Sequence, residues 1–296
     1  MKGTLSVARY TLIELSRRRI LLVFFIIGAI GIALLGIGLR LFYSAIVSGS
    51  QSSPSGPSLT PQQINQIVEY LFVSQILGVL GVFALLIAFA LGMTTIYHDL
   101  DSGAAISIFA RPVSRLAFTA GKLLAAVVAM VAIVGLLALE ARLAMYLFGG
   151  GLENALWLEV LAQLANTLVV MLLVRSLSTW MNNIVAAVVA FIYYDVVTSA
   201  IVFVRNLADQ GAIGNATVKF VFDVLYWVVP HSLRSSAIRD LAVTQVQISG
   251  GRASSRGGVA ISGIPPASGV GDIAWWAFIV FVLVAMVYYS VRRRQV

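Results

Sequence analysis

The sequence predicts an all-α membrane protein in which six transmembrane helices form one bundle. Of its 296 residues, 60% are hydrophobic and only 11% are charged, whereas soluble domains carry roughly 25% charged residues. Six segments are apolar over about the 20 residues that a helix needs to cross the membrane. Because these segments are long and continuously apolar, without the alternation of barrel strands, they predict helices.

The six predicted spans lie in a single domain that covers residues 1–296. They are Ile20 to Phe42, Leu71 to Tyr97, Leu123 to Phe148, Leu156 to Val174, Ile184 to Val204 and Ile273 to Val291. The first span is longer than the roughly 7 to 15 apolar residues of a signal peptide, so we expect it to be retained.

The distribution of cations predicts the orientation in the cell membrane. With the N-terminus inside, most short-loop Lys and Arg fall on the cytoplasmic side, whereas the first outer loop, residues 43–70, has none. By the positive-inside rule, both termini are cytoplasmic. The net charge of +8 is therefore attributed to topology, and we expect no nucleic-acid partner.

Residues 1–19 predict a helix that lies on the inner leaflet. Leu5, Ala8, Leu12 and Leu15 recur at steps of three and four, which places them on one face. Such a helix would bind membrane lipid through that face. The alternative is a plain extension of the first span.

The outer loop region, residues 205–272, contains a second apolar stretch from Val218 to Val229 that stops at Pro230. It is too short to cross a bilayer. We therefore predict a re-entrant or outer-leaflet helix before the last span, followed by a Gly/Ser-rich segment.

The loop His98 to Arg115, HDLDSGAAISIFARPVSR, falls on the cytoplasmic side. Asp101 or Ser102 can cap a short helix that Pro112 ends. Its apolar side chains would either bind a partner or pack on the bundle and inner leaflet, and the residues alone leave both open.

In order and spacing, this loop resembles that of ABC-2 type exporter permeases. There an acidic pair and a Ser-Gly or Gly-Thr precede a short helix, which is followed by Arg-Pro-Val-Ser-Arg and by a Gly-Lys that opens the third span. The residues that correspond here are Asp99, Asp101, Ser102, Gly103, Arg111, Pro112, Val113, Ser114, Arg115, Gly121 and Lys122. The branch it is most similar to serves multicopper-enzyme and nitrous oxide reductase maturation. The segment 250–269 departs from the family pattern.

The resemblance implies that residues 98–115 form a coupling helix, which docks into a cytoplasmic ATPase subunit. Its apolar contacts would be Ile106, Ile108 and Phe109, with the helix of residues 1–19 as a second contact. The resemblance also implies a dimer, formed with a second copy or a paralogue. ATP and Mg²⁺ would be bound by the ATPase, and this chain would hold no cofactor.

The residues themselves predict no enzyme. The chain has no G-x-x-x-x-G-K-[ST] phosphate loop and no cysteine. His98 and His231 are the only histidines, and neither has companions at metal-ligand spacing. No catalytic or metal-binding residue is therefore predicted.

Asp195 lies near the middle of the fifth predicted span, where a carboxylate is costly and often functional. With its neighbour Tyr194 it would line a translocation path or hold a dimer together. The alternative is an internally paired or protonated carboxyl that fixes helix packing. Glu140, Arg142 and Glu159 are predicted to lie near the outer interface.

Three functions follow from these observations. The first is the permease subunit of an ATP-driven exporter with an unidentified cargo. The second is a mechanotransmission subunit that acts on an outer-side protein without moving a solute. The third is an ion-coupled secondary transporter that uses Asp195.

Overall fold

The computed structural model describes residues 2–17, 19–51, 61–93, 114–148, 155–209, 215–235 and 267–293, and every regular element among them is helical. The helices are α1 (Lys2–Ser16), α2 (Arg19–Gln51), α3 (Pro61–Met93), α4 (Arg115–Phe148), α5 (Ala155–Leu177), α6 (Asn183–Phe191), α7 (Thr198–Asp209), α8 (Ala216–Val228) and α9 (Val270–Arg293). A π-helical segment, Ile192–Val197, joins α6 to α7.

The prediction of a six-helix membrane protein is confirmed. Six helical segments are long and apolar enough to span a bilayer, and they coincide with the six predicted spans. The helices continue beyond the apolar runs. For example, α3 begins at Pro61 rather than near Leu71, because proline suits the first helical position and the polar residues after it are compatible with a helix.

The core of the bundle lies around α3, which packs against α2, α4 and α5. Ile76, Leu80 and Ile87 on α3 are fully buried. Near the end of α3, a Cβ on Gly92 would lie 2.8 Å from the Cβ of Val174. Glycine at this position therefore allows α3 and α5 to approach closely.

Helix α1 is a separate helix and does not extend the first span. It ends at Ser16, and its most extensive contact is with α4. A Cβ on Gly121 would lie 2.7 Å from the Thr4 carbonyl oxygen and 2.8 Å from the Val7 Cβ, so only glycine fits this crossing. Of the predicted apolar face, Ala8 and Leu15 are buried in the protein and Leu5 is 62% exposed, while Val7 packs on α4.

The π-helical segment lies in the middle of the fifth span. Both the backbone N–H and the hydroxyl of Thr198 donate to the carbonyl of Tyr193, five residues earlier. A π turn accommodates one more residue than an α turn and is frequent at functional sites. It therefore sets how α7 is rotated relative to α6.

The bundle has two ends. The α1 end carries α1, the start of α4 and the end of α9, where the Arg115 guanidinium donates to the Arg292 carbonyl at 2.9 Å. The opposite end, called the far end below, carries α8 and the extended segment 229–235. The predicted short helix before the last span is present as α8, and it ends before Pro230 as expected.

Candidate functional site

Most of the predicted coupling loop lies outside the described residues. This applies to Asp99, Asp101, Ser102, Gly103, Ile106, Ile108, Phe109, Arg111 and Pro112. Arg115 is described and begins α4. The two helices that lead into and out of this loop, α3 and α4, are both described at their α1 ends.

Two arginines hold the helix ends beside this loop. Arg175, in the last turn of α5, is 2% exposed, and its Nη2 donates to the Leu91 carbonyl at 3.4 Å. Leu91 lies in the last turn of α3, where carbonyls lack a partner within the helix. Arg115 likewise donates a hydrogen bond to the carbonyl of Arg292, which lies in the last turn of α9. Each cation thus stabilises the C-terminus of a neighbouring helix.

Asp195 and Tyr194 lie within the π-helical segment and face different surroundings. Tyr194 is 8% exposed and belongs to the hydrophobic core. Its hydroxyl has no hydrogen-bond partner among the described residues. Asp195 is exposed on the surface of the bundle. Tyr194 lies close enough to Arg234 at the far end for an electrostatic interaction, whereas Asp195 joins no polar cluster within the described part of the chain.

At the far end, residues 229–235 form an extended strap across α5. Asn166 binds both backbone groups of Leu233: its Nδ2 donates to the carbonyl at 2.9 Å, and its Oδ1 accepts from the N–H at 2.7 Å. Glu159 accepts from the N–H and the hydroxyl of Ser235 at 3.2 and 2.6 Å. Two α5 side chains therefore fix the path of the strap.

The strap is also tied to the start of α9. The backbone N–H of Arg234 donates to Ser268 Oγ at 2.9 Å, and the N–H of Ser268 donates to the Arg234 carbonyl at 3.0 Å. The indole N–H of Trp275 donates to the Val229 carbonyl at 3.3 Å. These bonds join the strap to α9 near both of its ends.

An aromatic and charged cluster surrounds His231 in this strap. The imidazole stacks on Tyr226 with ring centroids 3.9 Å apart. Asp272 Oδ1 accepts from the Tyr226 hydroxyl at 2.9 Å and lies 3.2 Å from His231 Nε2. Asp272 Oδ2 accepts from the N–H of Gly269 at 2.8 Å, which caps α9.

Burial dominates the protonation of this cluster. It lowers the pKa of His231, although hydrogen bonds to Tyr226 and the charge of Asp272 oppose the shift. The pKa of Tyr226 is raised by burial and by its hydrogen bond to Asp272. At neutral pH we therefore expect a neutral phenol and a neutral imidazole. A neutral imidazole donates to only one of the two oxygens that its nitrogens face, the Tyr226 carbonyl 3.1 Å from Nδ1 or Asp272 Oδ1 3.2 Å from Nε2.

These residues line a cavity of about 350 Å³ between α7, α8, the strap and α9. Its wall is formed by Val202, Arg205, Asn206, Tyr226, Trp227, His231, Ser232, Arg234, Ala267, Ser268, Gly271 and Asp272. Arg205 is held by Asp223, which accepts from its Nε at 2.8 Å, and its guanidinium lies 3.9 Å from the Tyr226 ring centroid. The cavity thus combines two arginines with aromatic walls.

This site was not predicted from the sequence. Glu159 was expected only near the outer interface, and His231 only as a residue without metal-ligand companions. The one available signal was polar residues between residues 205 and 272 next to a helix too short to cross a bilayer.

No protein-family model matches this chain, and no curated protein is similar enough to count as a match. Among the described residues, no group of three or more His, Asp and Glu side chains could hold a metal ion.

Proposed function

We propose that this chain is the transmembrane permease subunit of an ATP-binding-cassette exporter of the ABC-2 type. It would lie in the cell membrane with the α1 end on the cytoplasmic side, and a separate ATPase subunit would bind ATP and Mg²⁺. The sequence of residues 98–115 carries the proposal, because its order and spacing are those of the coupling loop in that family.

The anchoring of this loop supports the proposal mechanically. On the incoming side, Arg175 ties the end of α3 to α5, and Gly92 allows these helices to pack closely. On the outgoing side, Arg115 ties the start of α4 to α9. A force applied to the loop would therefore reach four spanning helices through short, rigid contacts.

Asp195 supports a second permease copy or a paralogue as a further partner. It is exposed on the bundle about 12 residues from the start of the fifth span at Asn183, roughly 18 Å along the helix. A charged side chain near the bilayer centre costs about 2.5 to 3.5 kcal/mol or more when it faces lipid. Contact with another permease chain would remove this carboxyl from lipid.

The test is affinity purification of the tagged protein in mild detergent, with mass spectrometry of what copurifies. The loop variant carries Ile108→Asp and Phe109→Asp. The control carries Ala216→Asp and Thr217→Asp, which add the same two carboxylates to an exposed first turn at the far end, where acidic residues are tolerated.

We expect a P-loop ATPase to copurify with the wild type and the control but not with the loop variant. If no ATPase accompanies the wild type, the permease proposal loses its support. If the control loses it equally, the interaction depends on the overall fold and not on the coupling loop.

Mechanotransmission is a second candidate, and the far end favours it. The strap is bonded to α5 and α9, so rearrangement of these helices would move α8 and the surface around it. We expect this function if a partner on the outer side copurifies with the wild type and is lost when residues 236–266 are shortened. Loss of the ATPase in the same deletion would instead indicate misfolding.

Ion-coupled transport through Asp195 is the third candidate. If the chain is an exporter subunit, ATP-dependent transport in reconstituted vesicles should not respond to an imposed proton gradient, either in the wild type or in Asp195→Asn. Transport that follows the gradient in the wild type and not in Asp195→Asn, without any ATPase subunit, would replace the exporter by a secondary transporter.

A further inference from the structure

Arg234 is the least satisfied charged group in the far-end cavity. Its backbone is fixed by Ser268, and burial lowers its pKa although Glu159 lies near enough to oppose that shift. Among the described residues, the guanidinium makes no ion pair and donates no hydrogen bond. A half-buried arginine with five N–H donors in this state is available to bind an acceptor that the chain does not supply.

The carboxylates around the cavity are already bonded. Asp223 accepts from Arg205, and Asp272 accepts from Tyr226 and from the Gly269 amide. Glu159 accepts twice from Ser235. Each of these carboxylates thus already accepts a hydrogen bond from the chain, whereas the Arg234 guanidinium donates none to the described residues, and unused guanidinium donors favour an oxyanion.

Other side chains of the wall could support such a ligand. Asn206 and Ser232 add an amide and a hydroxyl, and Trp227 adds an apolar face. The volume of about 350 Å³ is at the lower end of the roughly 300 to 1,000 Å³ typical of small-molecule sites. It suits a head group rather than a whole amphiphile.

The surface around the cavity is apolar on three elements. Each of these helices has an exposed apolar residue next to a lining residue in the sequence. They are Phe203 on α7 (64% exposed), Val228 on α8 (59%) and Val270 on α9 (85%). Trp227 is itself 42% exposed, and tryptophan is enriched at membrane interfaces. A ligand whose anionic group enters the cavity would thus find hydrocarbon contacts outside it.

We propose that the far-end cavity binds the phosphate group of a phospholipid, with Arg234 as its main ligand. The guanidinium can donate two parallel hydrogen bonds to phosphate oxygens, and the acyl chains would lie along the exposed apolar surface of α7 and α8. The proposal does not depend on an ATPase partner, so it can fail or hold independently of the exporter assignment.

Native mass spectrometry of the detergent-purified protein tests this proposal. The probes are dioleoylphosphatidylglycerol, dioleoylglycerol, which lacks the phosphate, and inorganic phosphate. Arg234→Gln removes the guanidinium and keeps the backbone bonds to Ser268. The matched control is Arg142→Gln, because Arg142 is also partly buried at the far end, 5.5 Å from the Trp157 ring centroid, and does not line the cavity.

We expect the wild type and Arg142→Gln to retain phosphatidylglycerol and to ignore dioleoylglycerol. Arg234→Gln should retain at least about tenfold less, as for the loss of charge-assisted hydrogen bonds. A second variant, Gly271→Leu, fills the cavity without a change of charge and should lose the lipid as well. Circular dichroism and gel filtration confirm that each variant is folded.

Equal lipid retention in Arg234→Gln and Arg142→Gln would overturn the proposal, as would retention in a folded Gly271→Leu. If inorganic phosphate binds in an Arg234-dependent way and phosphatidylglycerol does not, the site recognises free phosphate and the lipid source is wrong. Retention of dioleoylglycerol at the same level would show that the apolar surface binds lipid and that the phosphate has no role.

Discussion

The crossing of α1 and α4 provides a test in which one substitution has opposite effects at two positions of the same helix. Gly121 and Gly135 are both interior residues of α4. A Cβ on Gly121 would lie 2.7 Å from the Thr4 carbonyl oxygen, whereas a Cβ on Gly135 would have no atom within 4 Å. We expect Gly121→Ala to destabilise the protein and Gly135→Ala to stabilise it.

The magnitude follows from two terms. Alanine is preferred over glycine in a helix interior by about 0.5 to 1 kcal/mol, which applies to both variants. At Gly121 a backbone oxygen on α1 must also move by several tenths of an ångström, and overpacking of this kind costs about 1 to 3 kcal/mol. The difference between the variants cancels the first term, so about 1 to 3 kcal/mol remains as the cost at the crossing.

The assay is trypsin cleavage at Arg9, within α1, combined with thermal unfolding in the same detergent. When opening is fast relative to cleavage, the cleavage rate follows the population in which α1 has left α4. Gly121→Ala should therefore be cut about 5 to 150 times faster than Gly135→Ala. Equal cleavage rates and equal unfolding temperatures would refute the conclusion that α1 is held at Gly121.

Two further predictions concern the far end. Asn166→Leu removes both hydrogen bonds to Leu233 and leaves its backbone groups unpaired, which should cost about 2 kcal/mol or more in thermal unfolding. A loss within about 0.5 kcal/mol, as for an ordinary surface substitution, would argue against the paired bonds. Because burial lowers the pKa of His231, the unfolded chain binds the proton more readily, so stability should fall as the pH drops below about 6.5. His231→Phe keeps the stacking on Tyr226, and it should lose less stability than the wild type between about pH 7.5 and 5.5, one unit either side of the unperturbed histidine pKa. An unchanged dependence of stability on pH would assign the effect to other groups.

The helices were predictable because their signals are local. A span is defined by about 20 neighbouring apolar residues, and α8 was recognised from a short apolar run that Pro230 ends. The buried face of α1 was only partly predictable. Periodicity grouped Leu5 with Ala8, Leu12 and Leu15 on one apolar face but did not indicate that Val7 meets α4 at Gly121, because a sequence pattern does not specify which neighbour a helix meets.

The far-end site was not predictable because its contacts join residues far apart in the chain. Glu159 and Ser235, Asn166 and Leu233, and Tyr226 and Asp272 meet only after the spans have packed. Each is an ordinary polar residue in its local segment, without a motif that would mark it. What the sequence does contain is a local surplus of polar groups between residues 205 and 272, which marks the region without giving its geometry.

The orientation of α7 relative to α6 depends on the π-helical segment between them. If the six residues Ile192–Val197 adopted regular α-helical geometry instead, the extra residue of the π turn would rotate α7 by about 100° and advance it by about 1.5 Å relative to α6. Arg205 would leave Asp223, while every hydrophobic residue of the span could still face lipid or protein. The wide turn in this short segment therefore sets which face α7 presents to the far-end cavity.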